Sequence, residues 1–346
     1  MNNWHHVVTT IIPTYKRPDK LKEAIHSVLS QTYPYVKVCV YDNASGDETA
    51  SVVQSIAKSD KRVVYHCHPA NIGSARNFLY GMDRVDSPFF SFLSDDDKLL
   101  PNFYEDAVSE FSKFPDSMFV SMGTIITAES GKVIRNASLN KRWAGYYLPP
   151  EGLKVILKGG MVALTGILFR KSVIEKVGLI SVKQCLPTDL EYILKVSSNF
   201  PVIITGTPGA IYKEHPNTMS SVLRLESIWP CFMEIINAFV DEMKHGPEIK
   251  IFARKMLIKR LKRYLVYIVI ASLQRGDIRD AKEAIGILLN NLDGFFKAKL
   301  LSLVLEVYKL FPFLIQTLLN LLVKQRRRVI IVLDYLDYIS NRFFVR

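Results

Sequence analysis

The chain has 346 residues, of which 49% are hydrophobic and 23% charged, so it can bury a full core and is excluded from the disordered class. Its net charge of +12 is unevenly placed: residues 241–346 hold 20 Lys and Arg against 10 Asp and Glu, whereas residues 1–240 hold 25 against 23. That asymmetry predicts an anionic partner for the last third, and the aliphatic, regularly spaced residues there favour a membrane surface over nucleic acid. Cys39, Cys67, Cys185 and Cys231 are widely spaced without a Cys-x-x-Cys pair, which reads as incidental thiols in a reducing compartment. The first residues lack the basic and apolar regions of a signal peptide, and His5-His6 reads as part of a tail.

Residues 7–122 alternate short apolar runs with helix-period segments, the pattern of a largely parallel α/β sheet with flanking helices. Strands are predicted at Val7–Ile12, Val36–Tyr41, Arg62–His66, Phe89–Leu93 and Phe119–Met122. Between the first two, Asp19 is placed to cap a helix whose apolar stripe is Leu21, Ala24, Ile25, Val28 and Leu29. Further helices are predicted from near Asp47, from Ser74 to about Val85, and from Leu100 to Phe114 with Asp97 or Asn102 as cap. Glu129-Ser130-Gly131-Lys132 reads as a hairpin turn and Pro149-Pro150-Glu151 as a helix start. Beyond them come a strand at Leu164–Phe169, a short helix at Lys171–Val177 closed by Gly178, a helix from Thr188 to about Ser197, and strands near Val202–Thr205 and Ala210–Lys213. After Ser220 the strand signals stop. A long amphipathic helix runs through Ile249–Ile268, Gly276-Asp277 stops it, residues 278–291 form its partner, and the apolar stretch Phe295–Val323 precedes Lys324-Gln325-Arg326-Arg327-Arg328. The longest uncharged run there, Leu310–Val323, is short of the ~20 apolar residues of a membrane span, which favours a buried or interfacial helix. The boundaries expected are a domain over residues 1–220 and a basic helical domain over 221–346.

Ser94-Asp95-Asp96-Asp97 follows the apolar run Phe89–Leu93, so three carboxylates stand where a buried strand ends. Ligands of open α/β sheets bind at that edge, and Pro13–Arg17 and Asp42–Asp47 fall on it too. Two readings of the acidic run are open: oxygen ligands for Mg²⁺ or Mn²⁺ beside a phosphate, or a solvated turn before a helix.

Taken in order, Ile12-Pro13-Thr14-Tyr15-Lys16-Arg17, Leu29-Ser30-Gln31-Thr32-Tyr33, Asp42-Asn43-Ala44-Ser45-Gly46-Asp47, Asn71-Ile72-Gly73-Ser74-Ala75-Arg76-Asn77 and Ser94-Asp95-Asp96-Asp97 resemble the inverting family 2 glycosyltransferases of the GT-A fold, over about residues 7–217. The resemblance implies that Pro13, Thr14 and Tyr15 hold the base and ribose of a nucleotide, with Arg17 near the diphosphate, Asp42 accepting from the base, and Arg76 on a phosphate or the base edge. It further implies Asp95 for ribose, Asp96 for a Mg²⁺ or Mn²⁺ ion, and Asp97 near the donor sugar, with Ser94 where many relatives carry another Asp. Pro187-Thr188-Asp189-Leu190-Glu191-Tyr192 looks like the family's Glu-Asp segment with Thr188 in place of Glu, which makes Asp189 the general base and Glu191 its fallback. His215, in Tyr212–Asn217, is the implied second metal ligand.

The activity expected is metal-dependent inverting transfer of a sugar from a UDP-, CDP-, dTDP- or GDP-linked donor to a glycan acceptor, lipid-linked, in bacterial surface polysaccharide or O-antigen synthesis. The enzyme would lie in the cytoplasm, peripheral on the inner face of the cell membrane, without a nucleic-acid partner. Two other classes compete. A sugar nucleotidyltransferase is disfavoured because no Gly-rich phosphate loop with an attendant Lys follows the first strand. A non-catalytic membrane-associated subunit with a degenerate transferase fold would cite Ser94 and Thr188.

Overall fold

The computed structural model describes residues 7–137, 141–159, 163–181, 188–214, 225–291, 295–313 and 316–317. They divide into two compact units, one comprising residues 1–222 with Asp241–His245, the other 223–240 with 246–346.

The first unit is built on a ten-stranded mixed sheet, the arrangement of a GT-A fold. In chain order its elements are β1 (Val8–Thr14), α1 (Pro18–Leu29), β2 (Val36–Asp42), α2 (Thr49–Ser59), β3 (Val63–Cys67), α3 (Ser74–Asp83), β4 (Phe89–Phe92), β5 (Lys98–Leu99), α4 (Phe103–Lys113), β6 (Phe119–Ala128), β7 (Val133–Ala137), β8 (Gly145–Tyr147), α5 (Glu151–Lys158), β9 (Ile167–Arg170), α6 (Ser172–Val177), α7 (Thr188–Asn199) and β10 (Val202–Glu214). The spatial order is β3-β2-β1-β4-β9-β6-β10-β5, with β7 on β6 and β8 on β10. Strands β1 to β4 are parallel, and β2 and β4 flank β1 on opposite sides. The chain therefore reverses its winding at β1, and the crevice opened there lies between the β1 and β4 carboxyl ends.

The amphipathic stripe read in α1 packs as expected: Leu21, Ala24, Ile25 and Val28 are wholly buried, in one cluster with Val8, Ile12, Val38 and Val40. Gly81 lets α3 approach the sheet, since a Cβ there would stand 2.5 Å from Ile11 Cγ2 and 2.8 Å from the Tyr41 ring.

Several boundaries differ from the sequence reading. Helix α1 begins at Pro18, so Arg17 occupies the cap position and Asp19 lies in the first turn. Helix α4 begins at Phe103, because Lys98–Leu99 is drawn into antiparallel pairing with Ile211–Ala210; Asn102 occupies the cap position as expected, though its side chain donates to Asp106 and accepts from no backbone amide of the first turn. Strand β6 runs on to Ala128, adding the ladder to β7 around the expected 129–132 turn. The strand expected at Leu164–Phe169 opens as a 3₁₀ turn, Leu164–Gly166, since Gly166 packs so near Met122 O that a Cβ would stand 2.9 Å from it. The two strands predicted around Pro208-Gly209 are a single strand, β10, with register shifts between Ile204 and Ala210 that absorb the irregularity. The cysteine reading also needs correction: Cys39 and Cys67 are free, but Cys231 is disulfide-bonded. Sequence spacing does not report the approach of side chains in three dimensions, which decides whether a disulfide forms.

The second unit is helical among its described residues: α8 (Leu225–Glu242, whose last residues join the first unit), α9 (Pro247–Arg275), α10 (Ile278–Asn291) and α11 (Phe295–Leu310). Helix α9 buries Ala253, Leu257, Leu261, Leu265, Val266 and Val269 and ends on Gly276 at φ 82°. Asp277 Oδ1 then accepts from Arg279 N and Asp280 N, opening α10 as a cap should. No helix among the described residues is long and apolar enough to cross a membrane.

Helix propensity and packing make opposite demands on Gly81. Alanine would favour the helix, but its methyl group meets Ile11 and Tyr41. We expect Gly81→Ala to destabilise the protein by about 1–3 kcal/mol, seen as a lower urea midpoint; an unchanged or higher midpoint would contradict this packing.

Candidate active site

The loop after β1 and the loop after β4 meet in the crevice. Thr14, the last residue of β1, donates through Oγ1 to Asp95 Oδ2 at 2.8 Å. Arg17 spans the acidic run, its Nη1 standing 3.2 Å from Asp95 Oδ1 and 2.7 Å from Asp96 Oδ2. Asp95, Asp96 and Asp97 are only 6%, 8% and 1% exposed, which removes the reading of a solvated turn. Ser94 acts through its backbone, its carbonyl accepting from Asp97 N at 3.1 Å. Asp97 is reached from β10, where Lys213 N donates to its Oδ1 at 3.0 Å, while its Oδ2 is buried without a partner.

These surroundings shift the acids. Burial raises the Asp95 carboxyl, against the lowering by Thr14 and Arg17. Burial first, and then the neighbouring Asp96 charge, push Asp97 up to about 8. The Arg17 guanidinium thus bridges two of three crowded, buried carboxyl groups, and the third is held largely neutral by burial.

The β2 loop is held from both sides. Asp42 Oδ1 accepts from Ser45 N at 2.9 Å and Ser45 Oγ at 2.6 Å, and its Oδ2 accepts from the Tyr65 hydroxyl at 2.6 Å. Burial and the Asp42 carboxylate raise the Tyr65 phenol well above its usual range, keeping it a donor. Ser45 Oγ also accepts from Lys16 N at 2.9 Å, tying the β1 loop to the β2 loop. Lys16 and Ala44, at φ 56° and 59°, both occupy left-handed backbone that non-glycine residues rarely adopt. Asn43 continues the chain of contacts to the third loop, donating to Asn71 Oδ1 and accepting from Ile72 N. Asn77 and His68 close it: Asn77 Nδ2 donates to Tyr41 O, and its Oδ1 meets His68 Nε2 at 3.0 Å.

The sequence-predicted residues are distributed as follows. Thr14, Arg17, Asp95 and Asp96 form one hydrogen-bonded group, and Asp97 abuts it. Tyr15 is exposed on the following loop with the Lys16 ammonium 5.3 Å from its ring. Pro13 precedes the pair in β1, and Asp42 lies beside it at the end of β2, with Thr14 and Asp42 in register. Arg76 is exposed in the first turn of α3. Asp189 is in the first turn of α7, where its Oδ1 accepts from Leu190 N. Helix α7 packs near β9, with the Tyr192 ring 6.0 Å from that of Phe169 and the Tyr192 hydroxyl donating to Gly178 O. Glu191 is buried at 4%, paired with Lys195 at 3.0 Å, with its Oε2 unpartnered. His215 lies outside the described residues.

Ser45, Tyr65, Asn71 and the Lys213 amide were not singled out from the sequence. Asn71 and Ser45 do fall inside motifs already recognised; Tyr65 and Lys213 act from separate strands and leave no local signal.

The described residues include no ready-made group of three His, Cys, Asp or Glu for a metal. The donor set nonetheless suits a hard divalent cation held by one or two carboxylates and completed by phosphate oxygens, since it consists of adjacent buried carboxyl groups, and one Asp97 oxygen makes no hydrogen bond among the described residues.

The sheet order, with an acidic crevice at its switch point, is that of a GT-A fold. Residues 9–178 match the glycosyl transferase family 2 profile, and that segment is a glycosyltransferase domain of the family. Among curated relatives it is 27% identical over 202 residues to an uncharacterized glycosyltransferase of Rickettsia conorii, covering 56% of this chain and 31% of that protein. It is 32% identical over 98 residues to TuaG of Bacillus subtilis, a putative teichuronic acid biosynthesis glycosyltransferase, covering 28% and 39%. It is 36% identical over 94 residues to the GalNAc(5)-diNAcBac-PP-undecaprenol beta-1,3-glucosyltransferase of Campylobacter jejuni, covering 27% and 30%. The matched stretch thus spans 30–39% of the length of these relatives. Residues 1–349 of S. aureus TarS share the fold at a TM-score of 0.61 and 13% identity, covering 92% of this chain and 91% of that one. The mannosyltransferase PcManGT from Pyrobaculum calidifontis does so at 0.53 and 16%, covering 91% and 84%.

Asp97 supplies a stability test. Its folded value near 8 lies above the ordinary 3.8, so its contribution is fully present below about pH 4 and is lost as pH rises through 8. Without divalent cation or nucleotide, Asp97→Asn should therefore gain over wild type between pH 5 and pH 8. We expect the melting temperature difference to widen by ~3 °C or more across that range; a constant difference would count against the buried site.

Proposed function

We propose that the protein is an inverting, metal-dependent glycosyltransferase that moves one sugar from a nucleoside-diphosphate donor to a hydroxyl of a glycan acceptor. The observation that carries this reading is the run of three buried carboxyl groups, Asp95, Asp96 and Asp97, in the switch-point crevice, with the Arg17 guanidinium spanning the first two. A divalent cation seated between these carboxyl groups and a nucleoside diphosphate would be held by oxygens from both sides, the usual setting of such an ion.

In this reading Pro13, Thr14 and Tyr15 cradle the base and ribose, and Asp95 accepts a ribose hydroxyl. Asp42, held by Ser45 and Tyr65, fixes the shape of the base-binding loop and has capacity left on Oδ2 for one further donor. Arg76, exposed on α3, is available to a phosphate. Mg²⁺ or Mn²⁺ would be held by Asp96, with His215 as the second ligand. When bound, the ion supplies positive charge against the negative charge that builds on the departing diphosphate. Arg17 adds its own charge from the β1 side and would leave one of its carboxylates when the ion takes that place.

Asp189 removes the proton from the acceptor hydroxyl as that oxygen attacks the anomeric carbon opposite the leaving group, and opposite faces of attack and departure give inversion. Glu191 is already committed to Lys195 and buried, which favours Asp189 for the role. The acceptor we infer is lipid-linked and belongs to bacterial surface polysaccharide or O-antigen synthesis, with the enzyme peripheral on the cytoplasmic face. The naming of TuaG for teichuronic acid biosynthesis and of the Campylobacter relative for a PP-undecaprenol substrate supports this setting.

Calorimetry with UDP, GDP, dTDP and CDP, with and without Mn²⁺, tests the donor half. One nucleotide should bind in a metal-dependent way, and Asp96→Asn should abolish that dependence and lower transfer on the order of 10³-fold. Asp189→Asn should lower kcat about 10²–10⁴-fold while nucleotide Kd stays within about twofold. Failure of every nucleotide to bind, or normal turnover by both variants, would refute these assignments.

A further inference from the structure

Helix α11 carries two apolar faces. Ala298, Leu305 and Tyr308 are 0%, 4% and 4% exposed and form its packed side. At 3.6 residues per turn, Leu300, Leu303, Val307, Leu310 and Phe311 fall on the opposite side. Leu303, Leu310 and Phe311 are 61%, 74% and 58% exposed, and Phe313, just past Pro312, is 83% exposed. Leaving such residues together in water is costly for a helix that already has a buried face, and a contiguous stripe of this kind marks a contact surface.

Charge identifies the occupant. Exposed Lys299 borders the stripe, exposed Lys309 lies further round the helix in an ion pair with Glu306, and residues 241–346 carry 20 cations against 10 anions. That excess opposes pairing with a second copy of the same unit and attracts an anionic surface. An apolar stripe of Leu and Phe flanked by Lys is the composition of a helix lying in a bilayer interface.

We propose that the Leu300–Phe313 stripe of α11 is the face by which this protein lies on an anionic lipid bilayer, with Leu303, Leu310 and Phe313 inserted among the acyl chains and Lys299 at the headgroups. This rests on the lipid-linked acceptor proposed above and specifies which surface meets the membrane. Insertion is shallow and reversible, because no described helix is long and apolar enough to span.

The test uses the full chain, sedimented with vesicles of phosphatidylglycerol and phosphatidylcholine or of phosphatidylcholine alone. Wild type should bind the anionic vesicles and lose most of that binding at 0.5 M salt, where the Debye length falls to roughly 4 Å. Leu303→Ser/Leu310→Ser/Phe313→Ser should weaken binding on the order of tenfold or more while its melting temperature holds. A Leu303→Trp variant should show a blue-shifted emission difference on the vesicles, reporting the helix itself. Three results would overturn the proposal: equal binding by wild type and the triple variant, a change from dimer to monomer in the triple variant without loss of vesicle binding, or new protease cleavage within 318–346 without such loss. The second would assign the stripe to a second copy and the third to the chain's own last residues. Turnover on a water-soluble acceptor separates the two readings. Lost vesicle binding with turnover unchanged supports the membrane face, whereas absent turnover in wild type with vesicle binding intact refutes the transferase reading alone.

Discussion

Three carboxylates buried side by side at the end of β4 impose the condition that the first unit is built to meet. Three carboxyl groups in a low-dielectric crevice cannot all ionise without cations or directed donors, and no side chain of Ser94–Asp97 donates to them. The compensation comes from distant parts of the chain: a hydroxyl and a guanidinium from the β1 loop, and a backbone amide from β10. Both sources depend on sheet order. Because β1 lies beside β4, its loop must open against the acidic run, and because β5 pairs with β10, the end of β10 is delivered to Asp97.

The same loops are held in conformations that isolated sequence would not favour. Lys16 and Ala44 take up left-handed backbone, and Ser45 bridges them by accepting from Lys16 N while donating to Asp42. A strained backbone that is locked by several hydrogen bonds is pre-shaped for a ligand, since less entropy is lost when the ligand arrives. Removing the Asp42 carboxylate would therefore free Ser45, Tyr65 and the β1 loop together, a larger effect than loss of one hydrogen bond. Tyr65 occupies only one acceptor position of Asp42 Oδ2, so the carboxylate that holds the loop keeps one position for a further donor.

How much of this could be read beforehand follows from the range of the interactions. Periodicity is a local property, so the strands from β1 to β4, the buried stripe of α1 and the helices α7, α9 and α10 were legible. The acidic run, Arg17 and Thr14 were legible because each sits at a strand end within an ordered set of motifs. The misplaced boundaries share another cause. Leu100 was drawn out of α4 by β5, Gly166 bends where backbone meets backbone, and β10 bridges Pro208-Gly209 by shifting register on β6. Each is a tertiary contact overriding a local preference. The partners of Asp42 and Asp97 belong to this group as well, since Tyr65 lies 23 and Lys213 116 residues away in sequence.

Glu191 and Asp189 show how burial separates two acids that sequence alone leaves equivalent. Both occupy the first turn of α7, where a helix dipole favours negative charge, and both could be written as a base. Glu191 points into the unit, where Lys195 pairs with Oε1 and itself also contacts Glu242, and Oε2 is closed off from solvent. A base must reach a substrate hydroxyl and release its proton afterwards, which a carboxylate sealed in a three-member ion network cannot do without breaking that network. Asp189 is half-buried, one residue into the helix, and its Oδ1 accepts from the Leu190 amide. The two acids therefore differ in access: one is closed into an ion network and the other stands at the mouth of its helix.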